Sequence, residues 1–268
     1  MGISVKIAFR QFSESAIARS EATKQSIVAA WIASLASQRR MTGRTAASLS
    51  QAREGALSAD RAAALRLIPV SRETERRLAV YVDLLDRWRR ITNLISAASF
   101  AHVWTRHIAD SAQLLTLAPE ARRWVDLGSG AGFPGLVIAI QLADTPGALV
   151  HLIESDQRKC AFLREVARQT GAPAHIHAIR AESPQAQALT SVDAVTARAF
   201  APLPRLMDLA KVFLAQGAVG IFPRGRSIDA QIAELPEHAA FHFDAQASKL
   251  DPDAAILIVR HRARVAIR

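Results

Sequence analysis

Val125-Asp126-Leu127-Gly128-Ser129-Gly130-Ala131-Gly132-Phe133-Pro134-Gly135 is the stretch on which the fold turns. A short apolar run, Trp124–Leu127, leads into it, and Leu136–Leu142 continues from it as a helix. The order is therefore strand, glycine loop, helix. Glycines let the backbone adopt dihedrals closed to other residues and approach a ligand with no Cβ in the way. The helix start behind the loop presents free N–H groups suited to a carboxylate or phosphate. Glu154 closes the next apolar run, Leu149–Ile153, where an acid can accept from both hydroxyls of a ribose.

Outward from this unit the pattern keeps alternating. A helix is expected over Gln157–Thr170, ended by Gly171 and Pro173. His175–Ile179, Val192–Thr196, Ala218–Phe222 and Ala255–Arg260 read as further strands, with a helix near Leu203–Leu214. Such alternation predicts a mostly parallel, doubly wound α/β sheet covered on both faces. Upstream, a short helix around Ala59–Ile68 stops at Pro69, and Ser71 offers the N-cap of the next. There Leu78, Tyr81, Val82, Leu85, Trp88 and Ile91 recur at helical spacing, while Arg76, Arg87 and Arg90 form a solvated face. A further helix is expected near Phe100–Leu117. The expected division is a leader over 1–55, a small N-terminal helical cap over 56–118, and the sheet domain over 119–268.

At 268 residues and 50% hydrophobic content the chain can bury a core, which excludes a wholly disordered protein. Its net charge of +10 suggests an anionic partner, nucleic acid before membrane. The charge is concentrated at the ends. Residues 1–40 carry +4 and residues 260–268 another +4, through Arg260, Arg262, Arg264 and Arg268, leaving +2 for 41–259. Residues 1–55 are rich in Ala, Ser, Arg and Gln and read as an unstructured leader with one marginal helix near Trp31. A transit peptide and a start placed upstream of an initiating Met41 account for it equally well. The single cysteine, Cys160, lies on the inner face of a helix with Leu163, Val166 and Ala167, reads as a core residue, and cannot form an internal disulfide. That favours a reducing, cytoplasmic location. No apolar stretch reaches the roughly 18–20 residues of a membrane span.

Two cofactors fit the loop. Gly130-x-Gly132-x-x-Gly135 matches the dinucleotide pattern. Asp126-x-Gly128-x-Gly130-x-Gly132 is similar to the first motif of class I S-adenosylmethionine (SAM) methyltransferases. Asp126 favours SAM, because an acid aimed at the loop suits an ammonium better than a pyrophosphate. Methyl transfer is a direct displacement, so alignment is the main requirement. Cytosine C5 chemistry would need a reactive thiolate, and Cys160 is misplaced for it. Amine methylation usually employs an Asn/Asp-Pro-Pro-aromatic loop; Ala197-Arg198-Ala199-Phe200-Ala201-Pro202 stands in its place. A ring nitrogen such as guanine N7 has a free lone pair and needs no base.

Four segments in order carry a resemblance: Trp88-Arg89-Arg90-Ile91-Thr92-Asn93-Leu94, Arg106-His107-Ile108-Ala109-Asp110-Ser111, the loop Asp126–Gly135, and Thr196-Ala197-Arg198-Ala199-Phe200. Together they resemble the bacterial 16S rRNA guanine-N7 methyltransferases, the RsmG or GidB family, from about Val70 to about Gln231. The resemblance implies a class I Rossmann-like fold, SAM as cofactor, and methylation of guanine N7 at position 527 of 16S rRNA in the small ribosomal subunit. It implies that Gly128 and Phe133 line the SAM site, that Ala181 and Glu182 hold the adenosine end, and that Arg198 completes the site; Asp126 and Gly130 are assigned to the same site from the loop itself. Glu154 is added here as the ribose ligand. Arg106, His107 and Asp110 would shape the substrate pocket, although Arg106 and Asp110, spaced i,i+4, could equally form an ordinary helix ion pair. His175 and His177 share a strand face, but with no third ligand nearby no metal site is assigned. The chain departs from the family at Ile95, where a threonine is usual, and at Arg224, where a lysine is frequent. A monomer without membrane attachment is expected. The rival readings are an NAD(P)-dependent oxidoreductase and a non-catalytic RNA-binding or ribosome-assembly factor.

Overall fold

In the computed structural model, which describes residues 51–225, 228–233, 235, 240–251 and 253–262, the sheet follows the expected alternation. The chain divides into two units, Met1–Gly55 and Ala56–Arg268. The leader expected over 1–55, with its helix near Trp31, lies outside the described residues except for 51–55.

Seven strands form one sheet in the order β3-β2-β1-β4-β5-β7-β6. They are β1 (Arg123–Leu127), β2 (Leu149–Glu154), β3 (Ala174–Ala178), β4 (Ala194–Thr196), β5 (Val219–Gly225), β6 (Phe241–Ala247) and β7 (Ala254–His261). The first five are parallel, and β7 runs antiparallel between β5 and β6. From β1 the chain builds one way to β2 and β3, then returns to place β4 on the other side of β1. The crevice for a ligand therefore opens beyond the carboxyl ends of β1 and β4.

The helices are α1 (51–67), α2 (Arg72–Trp88), α3 (Ala97–Phe100), α4 (Asp110–Ala112), α5 (Gly135–Gln141), α6 (Gln157–Thr170), α7 (Pro184–Gln187), α8 (Leu203–Ala215) and α9 (Ile228–Ala233). Ser71 caps α2 by accepting from Thr74 N–H at 3.1 Å, and Asp156 caps α6 by accepting from Arg158 and Lys159. Each such cap is worth ~1 kcal/mol. Gly171 ends α6 at φ +65°, the left-handed turn that glycine adopts without strain.

Side chains alternate across a strand, so β1 feeds two cores. Trp124 packs with Val150, Leu152, Phe162 and Val166 on one face; Val125 and Leu127 pack with Ile153, Leu206 and Phe213 on the other. The residues expected as a cap, 56–118, enter the first core through Leu78, Tyr81, Leu85 and Trp104, and α2 packs on α5 and α6. Cys160 is fully buried, and its thiol donates to the Glu154 carbonyl at 3.2 Å.

Two expectations are corrected. Strand β6 is not among the expected strands: its Phe-His-Phe-Asp-Ala-Gln-Ala does alternate with a period of two, but two of its four apolar positions are alanines and it is mostly exposed along the sheet edge. The single helix expected near Phe100–Leu117 is broken into α3, a π-helical turn at Trp104–Ala109, α4 and a 3-10 turn at Gln113–Leu117. Among the described residues no helix is long and apolar enough to cross a membrane.

Candidate active site

The loop after β1 turns through three glycines at positive φ: Gly128 at +69°, Gly130 at +56° and Gly132 at +97°. A side chain at any of them would be strained, so the glycine spacing is a backbone requirement. Tyr81 on α2 donates its hydroxyl to Ala131 O at 2.6 Å. Glu154, buried at the end of β2, accepts from Gly130 N–H and from Asp156 N–H, both at 2.8 Å. Each of its oxygens retains a second lone pair.

These elements border a cleft of about 440 Å³. Gly128, Gly130, Phe133, Glu154, Ala181, Glu182 and Arg198 all line it, so most of the residues expected to hold the cofactor converge on one space. Ala181 is buried in the wall, whereas Glu182 is exposed at the rim and pairs with Arg205 at 2.7 Å. Its own backbone N–H and then Arg205 hold the Glu182 carboxyl below the usual range.

Asp126 is the exception. Expected to face the loop's ligand, it is 1% exposed and turned under the loop, because strand alternation points it at the start of α5. There its Oδ2 accepts from Gly135 N–H at 3.2 Å, and its Oδ1 has no partner among the described residues. Burial pushes its carboxyl up to about 7, against the pull of Ser129 and the Gly135 N–H. The Asp126 carboxyl group thus fills the place beside the α5 N-terminus where a pyrophosphate would sit in a dinucleotide-binding fold.

Arg198, following β4, lies between this cleft and a second one of about 520 Å³ lined by Arg106, His107, Asp110, Ala199 and Asp251. Its guanidinium packs over the Phe133 ring, 5.0 Å from the centroid, and Nη2 donates to His107 Nδ1 at 2.7 Å. Nη1 lies 3.4 Å from Asp110 Oδ2 and from the Arg106 carbonyl. Since an arginine can only donate, His107 Nδ1 accepts and its proton sits on Nε2, facing Ser99 Oγ. Burial, then Arg198, then Arg106, pushes His107 down to about 3, so the ring is neutral. Burial raises Asp110 while Arg198 opposes the rise. Ala199, between the two clefts, holds φ at +49°, an uncommon conformation for a residue with a Cβ.

The ordinary Arg106–Asp110 helix pair is not formed; Asp110 pairs with Arg198 instead. The π-helical turn shifts the two residues off a shared α-helical face, and such turns recur at functional sites. It is anchored by Asp60 on α1, whose carboxylate accepts from Trp104 N–H at 2.8 Å and from the Thr105 hydroxyl at 2.6 Å. Asp60, Tyr81, Ser99 and Gln113, which donates to Asp110 Oδ1 at 2.9 Å, all support the site unannounced by any motif. Their partners lie far away in sequence, or on the other side of a helix break. A third, smaller cleft of about 270 Å³ is walled by Asp110, Arg198 and Arg224. Arg224 donates through Nη1 to Ala201 O at 3.0 Å, while its buried Nε and Nη2 have no partner among the described residues.

The first cleft fits SAM. Ile153, Ile179 and Ala181 give apolar walls for a base, Glu154 supplies acceptors for ribose hydroxyls, and bare backbone at Gly128–Gly130 admits the amino-acid end. Sheet order, loop and acid-ended β2 together define a Rossmann-like, SAM-dependent methyltransferase. Residues 74–251 match the family described as rRNA small subunit methyltransferase G. Proteins named Ribosomal RNA small subunit methyltransferase G are similar along most of the chain. The one from Bradyrhizobium diazoefficiens is 49% identical over 185 residues, covering 69% of this chain and 71% of that protein. The one from Parvibaculum lavamentivorans is 49% identical over 195 residues, covering 72% and 86%. Among solved structures, an SAH-bound Podospora anserina methyltransferase is similar at a TM-score of 0.48 and 15% identity, over 73% of this chain and 98% of that one. The chain belongs to the rRNA small subunit methyltransferase G family. That membership favours neither the oxidoreductase nor the non-catalytic reading.

Proposed function

We propose that the protein methylates guanine N7 in 16S rRNA of the small ribosomal subunit, acting as a monomer in the cytoplasm. The observation that carries this reading is the pair of clefts meeting at Arg198 and Ala199, one fitted to SAM and the other open to a flat polar ring. Family membership supports the rRNA substrate.

SAM supplies an activated methyl group on a sulfonium. On the protein side, Glu154 binds the ribose, Ala181 and Glu182 flank the base, and Phe133 with the loop backbone fixes the amino-acid end. A guanine turned out of its stack enters the second cleft, as RNA bases must to be reached individually. N7 has a lone pair and no proton to lose, so no residue acts as base. Neutral His107, pinned between Arg198 and Ser99, is a positioning residue. As the methyl moves, positive charge arrives on the guanine ring, and the Asp110 carboxylate faces it from the pocket wall.

The test is to incubate small subunits from cells lacking this protein with methyl-labelled SAM and purified enzyme, then digest the rRNA and identify the labelled nucleoside. N7-methylguanosine is expected. Absence of label, or label on another atom, overturns the reading.

A further inference from the structure

Outside the clefts, the sheet edge gathers three histidines. His151 on β2 and His175 on β3 are direct cross-strand partners, and His177 stands two residues further along β3 on the same face. Read along the chain, His175 and His177 have no third ligand beside them; the parallel register supplies one from 24 residues upstream. His151 is buried, His177 half-buried and His175 exposed, and one ring nitrogen from each lies within 4.8 Å of the others. His151 Nδ1 and His177 Nε2 are 2.9 Å apart, and the His175 and His177 rings stack at 4.3 Å. None of the three lines the clefts described above.

We infer that His151, His175 and His177 form a binding site for one divalent transition-metal ion of the zinc class. Histidines commonly cluster around carboxylates, yet among the described residues no ion pair reaches any of these three. In each ring the unprotonated nitrogen carries the lone pair that ligates metal. With metal–nitrogen bonds of about 2.0–2.1 Å, two ligands at right to tetrahedral angles sit about 2.9–3.4 Å apart, which the His151–His177 pair already satisfies. Rotation of the exposed His175 brings in the third nitrogen, leaving a position for water. An all-imidazole set selects zinc, copper or nickel over magnesium or calcium. Because β3 is the outer strand of the sheet, a bound ion would pin it to β2.

The experiment uses the full-length, tag-free protein after treatment with a chelator. Zinc is titrated by calorimetry and cobalt by its visible absorption, with native protein, His175→Ala, His177→Ala and the control His242→Ala on β6. Circular dichroism verifies the fold of each variant; His175 is exposed, so its replacement disturbs little packing. One equivalent is expected, with affinity at least tenfold weaker in both β3 variants and unchanged in the control. Zinc should raise Tm in the native protein and not in His175→Ala. No binding with zinc in hundredfold excess overturns the assignment. So does binding that His175→Ala and His177→Ala leave intact, since it would come from scattered surface histidines.

Discussion

Replacing Asp126 by asparagine should change how stability depends on pH while leaving SAM affinity nearly unaltered. The carboxyl is fully buried, and its native value of about 7 stands well above the ordinary 3.8 that it regains on unfolding. Between those values the native state holds a proton that the unfolded state releases. Native stability therefore falls as pH rises through this window, and levels off above the native value. From pH 5 to pH 8 the fall amounts to the two pH units between 5 and the native value, at about 1.36 kcal/mol each, so about 2.6 kcal/mol. The Asp126→Asn side chain cannot ionise, and its carbonyl still accepts from Gly135 N–H. Where the protonated carboxyl has one O–H donor beside the unpartnered Oδ1, the amide brings two N–H donors, a pH-independent penalty of about 1–3 kcal/mol. Urea unfolding of both proteins at pH 5 and pH 8 cancels every other titrating group. The variant should be less stable at pH 5 and regain about 2–3 kcal/mol relative to native at pH 8. A stability difference that is the same at both pH values would refute the buried, protonated carboxyl. A tenfold or greater loss of SAM affinity would return Asp126 to the ligand-facing role that its motif suggested.

Three further outcomes follow from the same geometry. Arg198→Ala should abolish methyl transfer and also destabilise the protein by about 1–3 kcal/mol, because it leaves the half-buried Asp110 carboxyl and His107 Nδ1 without the guanidinium they face; urea unfolding checks the second part, and undiminished stability would contradict the contacts of Arg198. Gly128→Val should weaken SAM binding at least a hundredfold in calorimetry, because a Cβ there would lie 2.0 Å from Phe200 Cδ2 on the cleft wall, at a φ of +69°. His107 should show neutral ring nitrogens in NMR spectra throughout pH 5–8; a transition near 6.5 would contradict its burial against Arg198.

The strand–loop–helix unit, five parallel strands and the glycine spacing can all be read along the chain, because they depend on local hydrophobic period and on φ values that only glycine adopts freely. Reading the chain also puts Gly128, Phe133, Glu154, Ala181, Glu182 and Arg198 together, and all six border the same cleft. Side-chain direction is another matter. Asp126 belongs to the motif, yet the pleat of β1 turns it beneath α5. Arg106 and Asp110 have helix-pair spacing, yet a π-helical turn held by Asp60 separates them and delivers Asp110 to Arg198, 88 residues away. Strand β6 alternates with a period of two in its own sequence, and its pairing with β7 fixes its place at the sheet edge. The third histidine of the edge cluster likewise appears only when β2 and β3 are set in register. Which polar groups meet is settled only on folding, since strand register and helix irregularity fix it, and neither leaves a local period in the chain.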